Sequence, residues 1–386
     1  MQRPGFKKSI TEFAAGGLFA FAVLYGVGLT LFLKGTGGLF RLVSEASGGS
    51  MALSFPQLTE SSQTDTADSA EGGYPDYSRL FELMEGGGGY HPYQSLGDSP
   101  AEAEDPEDPN EEPKEPLPYP DALNSDGGRI IRRTYSYTPS SSCIELPGGG
   151  MLRNSSSSDM EYIKEQLERE PELEISLDGS PQVIIMHTHT TECYEPYQRE
   201  SYDSEFSSRT TELDKSVVAV GREIADALEA AGIGVIHDTA VHDYPRYSGA
   251  YDRSSERVIS LLEEYPTVKI VLDIHRDAIE DSGVRYAPVC EVDGRSAAQV
   301  MIICGCTNVP RYRYNLRLAS KIQSKLEKDY PGLTRPILVA DRNYNQELTK
   351  GSLLIEVGSS ANSLDEALYA GRLVGMSLGE LLSEYS

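Results

Sequence analysis

Val183-Ile184-Ile185-Met186-His187-Thr188-His189-Thr190-Thr191-Glu192 is an apolar run that passes directly into residue types that bind metals and move protons. Four consecutive apolar residues suit a strand covered on both faces, as in an α/β sheet. Downstream, Leu213, Val217, Val220, Ile224 and Leu228 recur at helical spacing until Ala231-Gly232 stops them. Residues 233–236 read as the next strand, 254–264 as a helix and 268–272 as a third strand. Two strands, 285–292 and 296–304, flank Asp293-Gly294, a strong hairpin signal. A helix over 314–328, a strand over 353–357 and a helix carrying Leu364, Leu368, Val374, Leu378 and Leu381 complete the pattern. The expected fold is α/β: a mainly parallel, mixed sheet with helices on both faces, spanning 181–386. Its active site belongs at the carboxyl ends of the strands.

Upstream the character changes. Residues 129–180 form an entry segment, with a strand-forming stretch, a low-complexity patch around 148–158 and a short helix capped by Ser158-Asp159. Residues 34–128 are rich in Gly, Pro, Ser and acids, too poor in apolar surface to offset chain entropy, so a disordered tether is expected. Residues 13–33 are uncharged and long enough to cross a hydrocarbon core of about 30 Å as a helix. Arg3, Lys7 and Lys8 precede this run, which places residues 1–12 in the cytoplasm and the rest of the chain outside. A cleaved signal peptide is the competing reading, although the run exceeds the usual h-region of about 7–15 residues.

The net charge of −26 excludes nucleic acid as a natural partner, because a phosphate-backbone binder needs a basic surface. Five cysteines, an odd number without a Cys-x-x-Cys pair, do not describe a disulfide scaffold, although an external location would permit one or two bridges.

Three expected strands run into reactive side chains. The first meets His187, His189 and Glu192, the third meets Asp273, His275 and Asp277, and the last carries Glu356 within Leu-Leu-Ile-Glu-Val-Gly. Two histidines and a carboxylate around an open position make a catalytic zinc site. Such an ion lowers the pKa of bound water to about 7 and polarises a carbonyl. A separate carboxylate then carries the proton to the leaving nitrogen, and Glu356, among apolar neighbours, suits that task. Asp273 and Asp277 stand where they can orient His275 from behind. Taken singly, each residue also has an ordinary structural use, such as a hydrogen-bonded His-x-His loop. His237 follows the second strand and stays open as a further site residue, whereas His242-Asp243 reads as a surface loop. The run 244–251 with its three tyrosines suits the rim of a glycan or peptide site.

The ordered motifs His-Thr-His-Thr-Thr-Glu, Gly-Ile-Gly-Val-Ile-His-Asp, Val-His-Asp-Tyr-Pro, Asp-Ile-His-Arg-Asp-Ala, Tyr-Asn-Gln and Leu-Leu-Ile-Glu-Val-Gly resemble the stage II sporulation protein P family. These are engulfment hydrolases of endospore-forming Firmicutes. The resemblance implies cleavage of peptidoglycan at the bond between N-acetylmuramic acid and L-alanine, with peptide cross-links as a second target. It also implies two partners, the lytic transglycosylase stage II sporulation protein D and the membrane protein M, and a location in the mother-cell membrane facing the intermembrane space. The same region is distantly similar to zinc N-acetylmuramoyl-L-alanine amidases. That similarity implies His189 and His275 as zinc ligands, Glu356 as the catalytic carboxylate, and Asn362 after the Gly358 turn. The amidase Glu ligand has only a loose counterpart in Glu212, and Asp-Pro-Gly-His is replaced by Met186-His187-Thr188-His189. His187, Glu192 and His237 therefore stay open as ligands. Two other functions compete: a non-catalytic wall-binding or scaffold module, and an amidohydrolase of the barrel type acting on a small substrate.

Overall fold

The computed structural model describes residues 115–136 and 139–386. The expected membrane span at 13–33 and most of the tether lie outside these residues. Among the described residues no helix is long and apolar enough to cross a membrane.

The chain runs through β1 (Ile130–Arg133), β2 (Cys143–Glu145), β3 (Met151–Asn154), α1 (Met160–Leu167), β4 (Pro181–Met186), α2 (Val217–Ala230) and β5 (Gly234–His237). It continues through α3 (Ala250–Glu264), β6 (Ile270–Asp277), β7 (Glu280–Asp281), β8 (Val284–Val292), β9 (Arg295–Ala298) and β10 (Val300–Gly305). α4 (Tyr312–Asp329), β11 (Ile337–Ala340), β12 (Ser352–Ser359) and α5 (Leu364–Ser383) follow. Eight strands make one open sheet in the order β2-β3-β11-β10-β12-β6-β4-β5. Its pairings are parallel except β2–β3 and β10–β12, so the sheet is mixed. An open sheet is incompatible with the barrel-type amidohydrolase reading. β12, β6 and β4 are adjacent and parallel, which brings their carboxyl ends to one edge.

Strand alternation sorts the core. Val183, Ile185, Ile270, Leu272, Ile274, Leu353, Ile355 and Val357 face one side, packed with residues of α1, α2, α4 and α5. Ile184, Met186 and Val271 face the other side, where α3 contributes Val258, Ile259, Leu261 and Leu262. Asp273, His275 and Glu356 occupy alternate positions on this second face, which four helices do not cover. The fold thus leaves a floor open beside α3.

α5 lies close along α2 because Gly375 and its neighbours permit it. A Cβ on Gly375 would come within 2.7 Å of Ala227 Cβ and 2.9 Å of the Ile224 main chain. Backbone cannot yield cheaply, so Gly375→Val should cost roughly 3 kcal/mol and lower the melting temperature by about 6–12 °C. An unchanged melting curve would refute this packing.

The hairpin forms as read, with Asp293 and Gly294 both at positive φ (50° and 74°). Its second strand does not run on to residue 304. It breaks at Gln299, whose side chain accepts from Tyr135 N (2.7 Å) and donates to Tyr135 O (3.1 Å) and Gly332 O (2.9 Å). β9 therefore stays with β8 and β1 in a small sheet, and β10 joins the large one.

The entry segment is not separate from the domain: β2 and β3 extend the large sheet, and Asp159 caps α1 through Tyr162 N (2.8 Å). Residues 115–128, read as the end of the tether, clasp the loop that follows β4. Thr211 N donates to Leu117 O (2.8 Å), Tyr119 N to Glu212 Oε1 (2.8 Å), Tyr119 OH to Tyr194 O (3.0 Å) and Asn124 N to Asp203 Oδ2 (2.7 Å). A chain beginning at Arg129 loses all four contacts, each worth about 0.5–1.5 kcal/mol. Compared with one beginning at Glu115, it should melt several degrees lower and be cut faster by trypsin at Arg199 and Arg209. Equal melting and equal cutting would show the clasp to be idle.

Candidate active site

The loop after β4 is held by buried carboxylates at both ends. Asp273 accepts from Thr188 N (2.8 Å) and Thr188 Oγ1 (2.7 Å). Asp243 accepts from Thr191 N (3.1 Å), Thr191 Oγ1 (2.7 Å) and Arg209 Nη1 (2.8 Å). His242 and Asp243 are both buried, so the surface-loop reading of that pair is corrected. Thr191 presents a donor pair for which the Asp243 carboxylate is the buried acceptor, a long-range complement that spacing does not reveal.

This anchoring carries His189 and Glu192 to the second face of the sheet, over His275 and Glu356, which are direct neighbours across β6 and β12. The four line one cavity of about 290 Å³, with Tyr247 and Tyr251 on the α3 side. The ring centroids of His189 and His275 lie 5.2 Å apart, nearly perpendicular. His189 stacks on Tyr247 at 4.6 Å, and its Nε2 lies 3.1 Å from Tyr247 OH. Its Nδ1 is buried without a hydrogen-bond partner among the described residues.

His275 sits between two carboxylates: Nδ1 is 3.5 Å from Glu192 Oε2, and Nε2 is 2.9 Å from Asp273 Oδ1. The second contact has ion-pair distance but not hydrogen-bond direction, so Nε2 also lacks a bonded partner. Burial opposes charge on His275, yet Asp273 and Glu192 hold its imidazolium well above the ordinary value. Burial likewise opposes charge on Glu192, but Arg276 and then His275 keep its carboxyl below the usual range. Burial pushes His189 down to about 3, so its ring is neutral. A neutral imidazole beside an imidazole flanked by two carboxylates attracts positive charge, as a proton or as a metal ion. Donors sharing a tetrahedral zinc at about 2.0–2.1 Å stand roughly 3.3 Å apart, close to the Glu192–His275 separation. Among the described residues no group of three or more His, Cys, Asp or Glu side chains is gathered closely enough to hold a metal ion, so His189, Glu192 and His275 share the cavity without all three standing at ligand spacing. Two imidazoles and a carboxylate are the donor types of a catalytic zinc site.

Glu356 is 8% exposed, and its Oε2 has no partner among the described residues. Burial first, then the charge of Asp277, raises its pKa to about 8. A carboxyl so placed has the high proton affinity that a general base needs.

Other residues read as candidates do not reach the cavity. His187 Nδ1 donates to Ile274 O (3.0 Å), so its Nε2 is the acceptor for His237 Nε2 (3.0 Å). Burial lowers them to about 3 and about 4, and the pair lies against Gly221 of α2, on the opposite face from His189. Glu212 is exposed and engaged by the clasp, because the loop puts it before the turn leading into α2. Asn362 is a turn residue: it accepts from Ser359 N (2.9 Å) and donates to Pro288 O (3.1 Å), across Gly358 at φ 67°. Arg276 and Arg335 line the cavity and were not singled out from sequence. Arg276 has one signal, its place beside His275 after an expected strand; Arg335 has none, because the strand that follows it, β11, is not expected from the sequence.

The family profile of Stage II sporulation protein P (SpoIIP) matches residues 150–376. Stage II sporulation protein P of Bacillus subtilis (strain 168) is 30% identical over 195 residues, covering 48% of this chain and 47% of that protein. The chain thus spans about half the length of this curated relative. Among solved structures, N-acetylmuramoyl-L-alanine amidase AmiC2 of Nostoc punctiforme shares 14% identity over 54% of this chain and 98% of its own, at a TM-score of 0.31. The CwlD amidase of Clostridioides difficile, solved with the GerS lipoprotein, shares 14% over 53% and 99%, at 0.33. A likeness at that level assigns neither residue roles nor bond specificity.

Proposed function

Because this chain belongs to the stage II sporulation protein P family, we propose that it is a zinc-dependent peptidoglycan hydrolase cutting the amide between N-acetylmuramic acid and L-alanine. The observation that carries the reading is the meeting of His189, Glu192 and His275 with the buried base Glu356 in one cavity. His189 through Nδ1, His275 through Nδ1 and Glu192 through its carboxylate would hold the ion, with Asp273 behind His275. The ion supplies Lewis acidity to the scissile carbonyl and to the nucleophile. Glu356 takes the proton from the attacking water and delivers it to the leaving nitrogen of alanine. Tyr247 fixes the His189 ring by stacking, and Arg276 fixes Glu192 through its main-chain N–H and its guanidinium. Peptide cross-links are a second substrate on family grounds. The partners D and M are proposed on the same family grounds, and the anchor at 13–33, with the catalytic domain outside, on the uncharged run and the basic residues before it.

Zinc titration of the chelated full chain tests the ligand set. One ion per chain should bind, and His189→Ala or His275→Ala should abolish binding without unfolding the domain. Undiminished binding in both variants would refute the centre.

A further inference from the structure

Beyond Glu356, the cavity continues over an apolar floor that includes Met301, Leu338 and Leu354. Its far side carries Arg335, whose main chain is pinned by Arg335 N donating to Val300 O (2.7 Å). The Arg335 side chain is 6% exposed and gives one bond, Nη1 to Asp277 Oδ2 (2.7 Å). Its Nε and Nη2 are buried with no partner among the described residues. A buried guanidinium has five N–H donors and cannot lose its charge, so unanswered nitrogens are costly. The lining also carries four carboxylates, Glu192, Asp277, Glu280 and Glu356, and two further arginines, Arg153 and Arg276. Of the arginines on the lining, Arg276 is already engaged by Glu192, Cys193 O and Ser208 O, whereas Arg335 keeps buried nitrogens unanswered among the described residues and so is the one suited to an anionic substrate group.

We infer that Arg335 is a specificity-determining residue that receives a carboxylate of the substrate's peptide, on the leaving-amine side of the scissile bond, while the apolar floor takes the alanyl methyl. This rests on the amidase reading of the same cavity. A planar fork with free donors matches a carboxylate bidentately, and a lysine at this position would not. In a muramyl peptide, the first carboxylate past the alanine is the α-carboxylate of the γ-linked D-glutamate. The pair with Asp277 keeps the fork oriented while leaving the other nitrogens for the ligand.

The test uses the full chain with zinc and two substrates, N-acetylmuramyl-L-alanyl-D-glutamate and its α-carboxamide. Calorimetric binding of the two corresponding L-alanyl peptides is measured alongside. The free acid should be favoured roughly tenfold or more in kcat/KM, chiefly through KM, and similarly in binding. Arg335→Gln should erase that preference, so that acid and carboxamide are handled alike, and Arg335→Lys should restore only part of it. Equal handling of acid and amide by the unaltered chain overturns the inference without any variant being made. A preference that survives in Arg335→Gln overturns it as well. Binding preference without hydrolysis of either substrate would keep the subsite and sink the amidase reading, so the two failures are distinguishable.

Discussion

Glu356→Gln should lower turnover of peptidoglycan by on the order of 10²–10⁴-fold while zinc content stays the same. The amide fills the same volume between Met301 and His275 but cannot accept the water proton. The same substitution has a second, opposite signature in stability. A carboxyl whose pKa rises from 4.5 unfolded to about 8 folded favours folding fully only below its unfolded value. That contribution is lost as pH climbs from 4.5 through 8, because the native state must then either hold a proton or bury a charge. Chelated Glu356→Gln should therefore melt at the same temperature as the unaltered chain near pH 4, and several degrees higher at pH 8. A variant that is both inactive and more stable at alkaline pH marks a functional carboxylate held at a cost in stability. Equal melting at pH 8 would show that the base is not strained by burial.

The second large effect separates two glutamates. Glu192→Gln should lose zinc and activity together, whereas Glu212→Ala should keep both. Glu192 faces His275 at 3.5 Å inside the cavity, while Glu212 is exposed and serves Tyr119. Gln is the better substitution at 192 because Ala would strand the buried Arg276 guanidinium, a loss of about 3–5 kcal/mol that confuses misfolding with lost ligation. Metal content and circular dichroism on both variants decide the matter. Retained zinc in Glu192→Gln, or lost zinc in Glu212→Ala, would transfer the ligand role away from Glu192.

This contrast also shows what sequence made legible. His275 and Glu356 could be found because each interrupts an apolar strand, where a polar side chain is expensive unless used. His189 followed from the end of such a strand. Whether Glu192 or Glu212 joins them depends on how the loop after β4 closes, and that is decided by Asp243 and Asp273, which are distant in sequence and complementary only in space. The same limit applies to His187. His187 continues the alternation of β4 onto the α2 face and the chain turns directly after it, so two histidines two residues apart end on opposite faces. In the fold, the helices and the longer strands carry enough periodicity to be read. β2, β3 and β11 do not: they have three or four residues each, and their place at the sheet edge comes from pairing with one another and with β10. The antiparallel step at β10 was equally hidden, since Gln299 breaks the hairpin strand through contacts with Tyr135 and Gly332.

The most direct test of the central claim is to digest intact peptidoglycan with the full chain and resolve the products by mass spectrometry, with zinc present, chelated and restored. The account predicts free stem peptides together with peptide-free glycan strands, absent under chelation and returning with zinc. Glycan strands that keep their peptides under all three conditions would contradict it and favour a wall-binding scaffold instead.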